Sequence, residues 1–274
     1  MNKASPARST MPVLFLGHGS PMNAIEDNEF SRGWRKIAKT IARPKAILCI
    51  SAHWETLGAL VTAMDKPRTI HDFGGFPREL YEVQYPAPGS KWLAQEVANA
   101  VKKSDVTFDE EWGLDHGCWS VISRMYPEAD VPVAQLSLDA ARSAQEHYDL
   151  ARQLAPLREK GVLIVGSGNM VHNLGLVEFR GNGPEAFNRP FGFDWAMQAN
   201  DLFKQLINDN RHDRLIGYQA LGESVKLAVP TPEHYLPMLY AIALKRTEES
   251  VAYFNDKPVA GSLTMTSFVI DKPV

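Results

Sequence analysis

Short runs of apolar residues alternate along this chain with longer segments in which apolar residues recur at every third and fourth position. The short runs are Val13 to Leu16, Ala46 to Ser51, Val131 to Leu136 and Val162 to Val165, with Leu263 to Ile270 as a late strand. Each is rich in β-branched residues and apolar on both faces, the pattern of a strand covered by helices on both sides. The segments Lys91 to Lys102, Gln145 to Leu157, Asp194 to Ile207 and Glu233 to Leu244 carry the helical period. The alternation predicts an α/β fold: a single domain with a central, mostly parallel sheet flanked by helices. No internal repeat or long charged linker divides the chain. Residues 1–10 read as a flexible N-terminal segment and 11–274 as one catalytic domain. The stretch Arg180 to Pro184 (RGNGP) reads as a surface loop, and the Gly/Pro-rich region Pro67 to Gly89 as an irregular loop of the kind that often carries function.

Composition narrows the function classes. The 274 residues are 45% apolar and 22% charged, enough to build a substantial core. The net charge of −3 gives no electrostatic reason to expect nucleic acid or an anionic membrane as partner. No run approaches the roughly 20 apolar residues of a membrane span, and Met11 to Leu16 is too short for a signal-peptide core. Two cysteines, Cys49 and Cys118, exclude a disulfide framework and fit a reducing, cytoplasmic location. Cys49 reads as a core residue, whereas Cys118, two residues after His116, is the more suggestive thiol.

Candidate chemistry lies in the histidines. His18 (LFLGHGSP), His53 (LCISAHW) and His172 (LIVGSGNMVHN) each follow a predicted buried strand, and ligands of open α/β sheets bind outside the carboxyl ends of the strands. His234 lies in PTPEHYLPMLY, with Thr231 as expected N-cap, Pro232 at the first helical position and His234 in the first turn. His116 lies in WGLDHGCWS, where Asp115 is the expected cap of a following helix. Imidazoles converging from such edges suit a transition metal or acid–base work near neutral pH. His147, on a predicted helix, and His212, in a polar turn, read as surface residues, and His71 is intermediate. No G-x-S-x-G elbow, P-loop or full dinucleotide fingerprint is present.

Taken in order, LFLGHGSPMNAIEDN, AILCISAHWET, TIHDFGGFPRELYEVQYPAPGS, WGLDHGCWSVISRMYPEADVPVAQLSLD, GSGNMVHNL and PTPEHYLPMLY resemble the DOPA branch of the class III extradiol ring-cleavage dioxygenases, the LigB-like family. The resemblance runs from about Met11 to Ile270. It implies a mononuclear metal at the carboxyl edge of the sheet and opening of a catechol by dioxygen. It marks His18, His53 and His234 as metal ligands and His172 as acid/base or fourth ligand. His116 is marked as a further active-site histidine. Relatives outside this branch use two histidines and a carboxylate on Fe(II). Here the adjoining Glu233 and His234 would point about 100° apart on a helix, which argues against their ligating together. The resemblance implies Fe(II) for turnover, with Zn(II) retained in a resting protein by the all-histidine set. His71, Phe73, Phe76 and Tyr85 are expected to line the substrate pocket. The partners implied are O2 and a catechol with a side chain, DOPA or a phenylpropanoid, acting on a monomer or small homo-oligomer. The alternative on the same residues is a zinc hydrolase with a metal-activated water.

Overall fold

The computed structural model describes residues 10–101, 106–179 and 187–272. The expected loop Arg180 to Pro184 and, apart from Thr10, the N-terminal segment lie outside the described residues. Ten strands are present among them: β1 (Val13–Gly17), β2 (Ala46–Thr56), β3 (Ala59–Thr62), β4 (Val106–Asp109), β5 (Val133–Asp139), β6 (Val162–Gly168), β7 (Ser250–Phe254), β8 (Pro258–Val259), β9 (Leu263–Thr264) and β10 (Ser267–Asp271). The α-helices are α1 (Glu29–Ala38), α2 (Arg78–Tyr81), α3 (Lys91–Ala100), α4 (His116–Met125), α5 (Ala144–Gln153), α6 (Ala155–Glu159), α7 (Asp194–Asn208), α8 (His212–Ile216), α9 (Glu223–Ala228) and α10 (Leu236–Ala243). Eight strands form one sheet in the order β4-β3-β5-β2-β6-β1-β10-β7, while β8 and β9 make a separate pair. The central four, β5-β2-β6-β1, are mutually parallel, and antiparallel neighbours extend them on both sides.

Successive residues of a strand face opposite sides of the sheet, and both sides here are covered. Val13 and Phe15 of β1 join Leu48, Ile50 and Ile164 in a core shared with α3, α5, α7 and α10. Leu14 and Leu16 join Ile47, Leu163, Trp34 and Trp119 in a second core, under α1 and α4. Full burial on both faces explains why the central strands read as unbroken apolar runs. The parallel strands direct their carboxyl ends to one edge, which carries the site.

Three expected elements differ in extent. The late strand Leu263 to Ile270 is broken into β9 and β10, because Met265 N–H bonds the Lys257 carbonyl and the Ser267 hydroxyl turns back to the Met265 carbonyl. The helix expected over Gln145 to Leu157 divides at Leu154; Pro156 lacks the N–H that would continue it, and α6 starts afresh with this proline in its first turn. The segment from Glu233 begins as a turn in which Tyr235 N–H and Leu236 N–H both reach the Pro232 carbonyl, and α10 starts only at Leu236. Thr231 does not cap it, since its hydroxyl donates to Glu233 Oε1 at 2.8 Å. Among the described residues no helix is long and apolar enough to cross a membrane.

Two strand glycines set the spacing between sheet and helix. A Cβ at Gly168 would stand 2.2 Å from the His234 carbonyl oxygen, and one at Gly166 would stand 2.2 Å from that of Pro237. Only a residue without Cβ lets the turn before α10 lie directly on β6.

Candidate metal centre

Five of the eight histidines, His18, His53, His116, His172 and His234, line one pocket of about 260 Å³ at the carboxyl edge of the sheet. His18 is the residue after β1, and its N–H bonds the Gly168 carbonyl at the end of β6. His53 lies in β2 where the register against β5 shifts between Ile50 and Glu55. His116 is the first residue of α4, whose N-cap is Asp115: its carboxylate accepts from Cys118 N–H and is held by Ser51 and Gln135. His172 follows β6 by a short turn and bridges to Leu263. His234 sits in the turn ahead of α10, with its carbonyl accepting from Asn169 N–H at 2.9 Å.

The hydrogen bonds around His18 determine its tautomer. The Ser167 hydroxyl lies 2.5 Å from the Gly117 carbonyl oxygen, which can only accept, so the hydroxyl proton goes there. Ser167 Oγ, 3.0 Å from His18 Nδ1, is then the acceptor, and His18 carries its proton on Nδ1 with a lone pair on Nε2. That Nε2 is 3.2 Å from His53 Nε2, while His53 Nδ1 faces Asp72 Oδ2 at 3.6 Å. His18 Nε2 accepts from the His53 Nε2–H across that 3.2 Å contact, and a cation held by both nitrogens would take the place of this hydrogen bond. His234 adds a buried Nδ1 with no hydrogen-bond partner. The ring centroids of His18, His53 and His234 are each 5.0 Å from the other two, an equilateral set of rings. These donors fit a divalent transition metal.

The remaining two histidines flank that triangle. His172 stacks on His234 with centroids 3.5 Å apart and planes at 8°. His116 lies 3.8 Å from the His53 ring, its Nδ1 is 3.0 Å from Asp72 Oδ2, and its N–H donates to Asp72 Oδ1 at 2.9 Å. Single ligand atoms from His18, His53 and His116 come within 4.8 Å of one another, as do those from His172, Glu233 and His234. The second group corrects the helical argument against Glu233 and His234 acting together: the pair lies in a turn, where the 100° spacing of a helix does not apply.

Burial and the neighbouring imidazoles keep His18, His53, His172 and His234 neutral. His53 is pushed down to about 3 and His172 to about 4, in each case by burial first and then by the charge of His116. His18 and His234 are held well below the ordinary value by burial first, and then by His53 and His172 respectively. Neutral imidazole is the ligating form. Burial works to raise the Asp72 carboxyl, yet hydrogen bonding and charge from His116 hold it below its usual range. A carboxylate is thus fixed against His116.

The loop after β3 meets its expectations unevenly. Phe73 and Phe76 line the pocket. His71 does not; its Nε2 is 3.0 Å from the Val83 carbonyl and its ring packs on Phe73, Tyr81 and Trp119, holding the loop together. Tyr85 is buried in the core beneath, its hydroxyl donating to the Tyr126 carbonyl at 2.9 Å, so it forms no wall of the site. Cys118 is fully buried, and burial and Cys49 push its thiol up, away from a reactive thiolate. His147 is also buried, with Nδ1 3.0 Å from the Tyr240 hydroxyl, and His212 is bonded to Tyr148; neither is a free surface residue. Asp72 and Ser167 were missed in the sequence. The signal for Asp72 is its place in HDFGG; nothing local marks Ser167.

Residues 12–258 match the family model described as the catalytic LigB subunit of aromatic ring-opening dioxygenase. A relative named 4,5-DOPA dioxygenase extradiol from Escherichia coli K12 is 45% identical over 264 residues, covering 95% of this chain and 94% of that one. A protein of the same name from Beta vulgaris is 38% identical, over 84% of this chain and 85% of its own. The crystal structure of an uncharacterized Escherichia coli K12 protein superposes with a TM-score of 0.81 at 40% identity, covering 95% of this chain and 99% of the other. With a family match across most of its length and relatives this similar, the chain belongs to the LigB family of aromatic ring-opening dioxygenases.

Proposed function

We propose that this protein cleaves a catechol bearing a side chain, DOPA or a similarly substituted one, across its 4,5 bond with dioxygen. The observation that carries the reading is the equilateral set of neutral imidazoles beside the aromatic walls Phe73 and Phe76. His18, His53 and His234 would hold one divalent metal, Fe(II) in the active protein and Zn(II) in a resting form. When bound, iron supplies electron transfer between catechol and dioxygen and makes the substrate hydroxyls more acidic.

The protein's own groups then handle protons and position. His172, neutral because burial holds it near 4, is free to take a proton from a catechol hydroxyl. Its stacking on His234 places it beside the ligand set, and this contact also suits service as a fourth ligand. His116, backed by the Asp72 carboxylate at 3.0 Å, holds a proton and gives it to oxygen as the ring opens. Phe73 meets the His116 ring edge-on at 5.5 Å and keeps water from that donor. The family match and the relatives give the zinc-hydrolase reading no support. The two buried, free cysteines suit a cytoplasmic setting.

Metal exchange tests the reading. Protein stripped of metal is reloaded under nitrogen with Fe(II) or Zn(II), then given DOPA and air. Oxygen uptake with a yellow semialdehyde in the iron sample alone is the expected result. No uptake with any of several catechols, despite verified iron loading, overturns it.

A further inference from the structure

The peptide group that joins His18 to Gly19 is gripped on both edges by buried asparagines. Its carbonyl accepts from Asn23 Nδ2 at 3.0 Å, and its N–H donates to Asn169 Oδ1 at 3.3 Å. Asn23 is 4% exposed and Asn169 1%. Neither amide can be turned over. Asn23 Oδ1 accepts from Asn28 Nδ2 at 2.6 Å, and the Asn28 amide is fixed in turn because its oxygen caps α1 by accepting from Phe30 N–H and Ser31 N–H. Asn169 Nδ2 donates to the Thr264 carbonyl at 2.8 Å, which leaves its oxygen for Gly19.

The grip falls where the backbone is otherwise least constrained. Gly19 has φ +58°, a left-handed turn that glycine adopts freely and does not hold by itself. On the other side of His18 the peptide is already tied, since His18 N–H bonds the Gly168 carbonyl. With both flanking peptides held, the backbone sets the Cα–Cβ direction of His18, and Ser167 at Nδ1 sets the ring. Asn169 also serves a second histidine of the set, because its backbone N–H donates to the His234 carbonyl at 2.9 Å. One residue thus ties the chain beyond β1 to the turn ahead of α10.

Resting on the reading of His18 as a metal ligand, we infer that Asn23 and Asn169 are positioning residues for the metal centre: their carboxamides clamp the peptide after His18 and so hold its imidazole on the cation.

Asn23→Ala, Asn169→Ala and the double variant test this, with Co(II) as the probe metal. Competition against a chromogenic chelator gives the affinity, visible absorption of the Co(II)-loaded protein reports the coordination geometry, and the melting temperature of the metal-free protein reports the fold. Asn23→Ser or Asn169→Ser replaces an alanine variant that does not fold. Each single variant is expected to lose about tenfold in affinity and to alter the Co(II) spectrum. The double variant is expected to lose far less than the product of the two, since both amides act on one peptide. A clamp that served the fold alone would lower the melting temperature and leave affinity and spectrum unchanged, and that result overturns the inference, as do losses that multiply. His18→Ala separates this from the reading beneath it. If that variant binds Co(II) as tightly as the unaltered protein, His18 is no ligand and both fall; if it loses Co(II) while the asparagine variants bind normally, only the clamp falls.

Discussion

Ser167 accepts a hydrogen bond from His18 Nδ1 at 3.0 Å while giving its own proton to a backbone carbonyl, so a hydroxyl on β6 decides which nitrogen of a β1-edge histidine keeps its lone pair. Partners of this kind orient a ligand and raise its basicity.

Ser167→Ala is therefore expected to lower metal affinity about 10- to 100-fold with the fold intact. Competition against a chromogenic chelator measures the affinity and circular dichroism checks the fold. An unaltered affinity would show that the tautomer is set elsewhere.

His172→Ala and His116→Ala are expected to retain metal and lose about 10²- to 10⁴-fold in kcat. His234→Ala is expected to lose metal as well as turnover. Metal content by elemental analysis beside kcat separates the roles, and metal-free His172 and His116 variants would contradict the assignment.

Loop aromatics are expected to divide by where their rings lie. Phe73→Ala opens the pocket wall and should raise the catechol KM roughly tenfold. Tyr85→Phe removes only the hydrogen bond to the Tyr126 carbonyl, leaving KM alone and costing about 1 kcal/mol in stability. A raised KM in the Tyr85 variant would place that ring against substrate.

His147, whose Nε2 has no partner, is pushed down to about 4 by burial. The unfolded chain takes up a proton near pH 6.5 that the folded chain refuses until about pH 4, so stability falls as pH falls through that window. The loss approaches about 1.4 kcal/mol per pH unit for this one group. His147→Gln keeps a partner for Tyr240 and removes the titration. Its urea midpoint should decline less than that of the unaltered protein between pH 6.5 and 4; parallel curves would refute the assignment.

The central strands and the edge they share were legible because β1, β2, β5 and β6 are buried on both faces. Strands β4 and β7 are half-exposed and short, so no apolar run marks them. Helix α1 went unread because its buried residues, Phe30, Ser31 and Trp34, are few among charged neighbours. His147 was misjudged although Leu150 and Ala151, three and four positions on, place it on the buried face of α5. The five pocket histidines could be found from strand ends and helix junctions. Their partners could not: Asp72 and Ser167 act through contacts across long sequence separations, and no local pattern records such a contact.

The missing methyl groups of β6 bear on how any mutational map of this protein is to be interpreted. With the His234 carbonyl 2.2 Å from where a Cβ on Gly168 would stand, the placement of one imidazole is encoded in a residue with no side chain, on another element. Gly168→Ala would displace the turn and yield a metal-poor protein, the phenotype of a lost ligand. Such a scan assigns to coordination a position that coordinates nothing, and the glycine is distinguished from a true ligand only when its neighbour's geometry is taken into account.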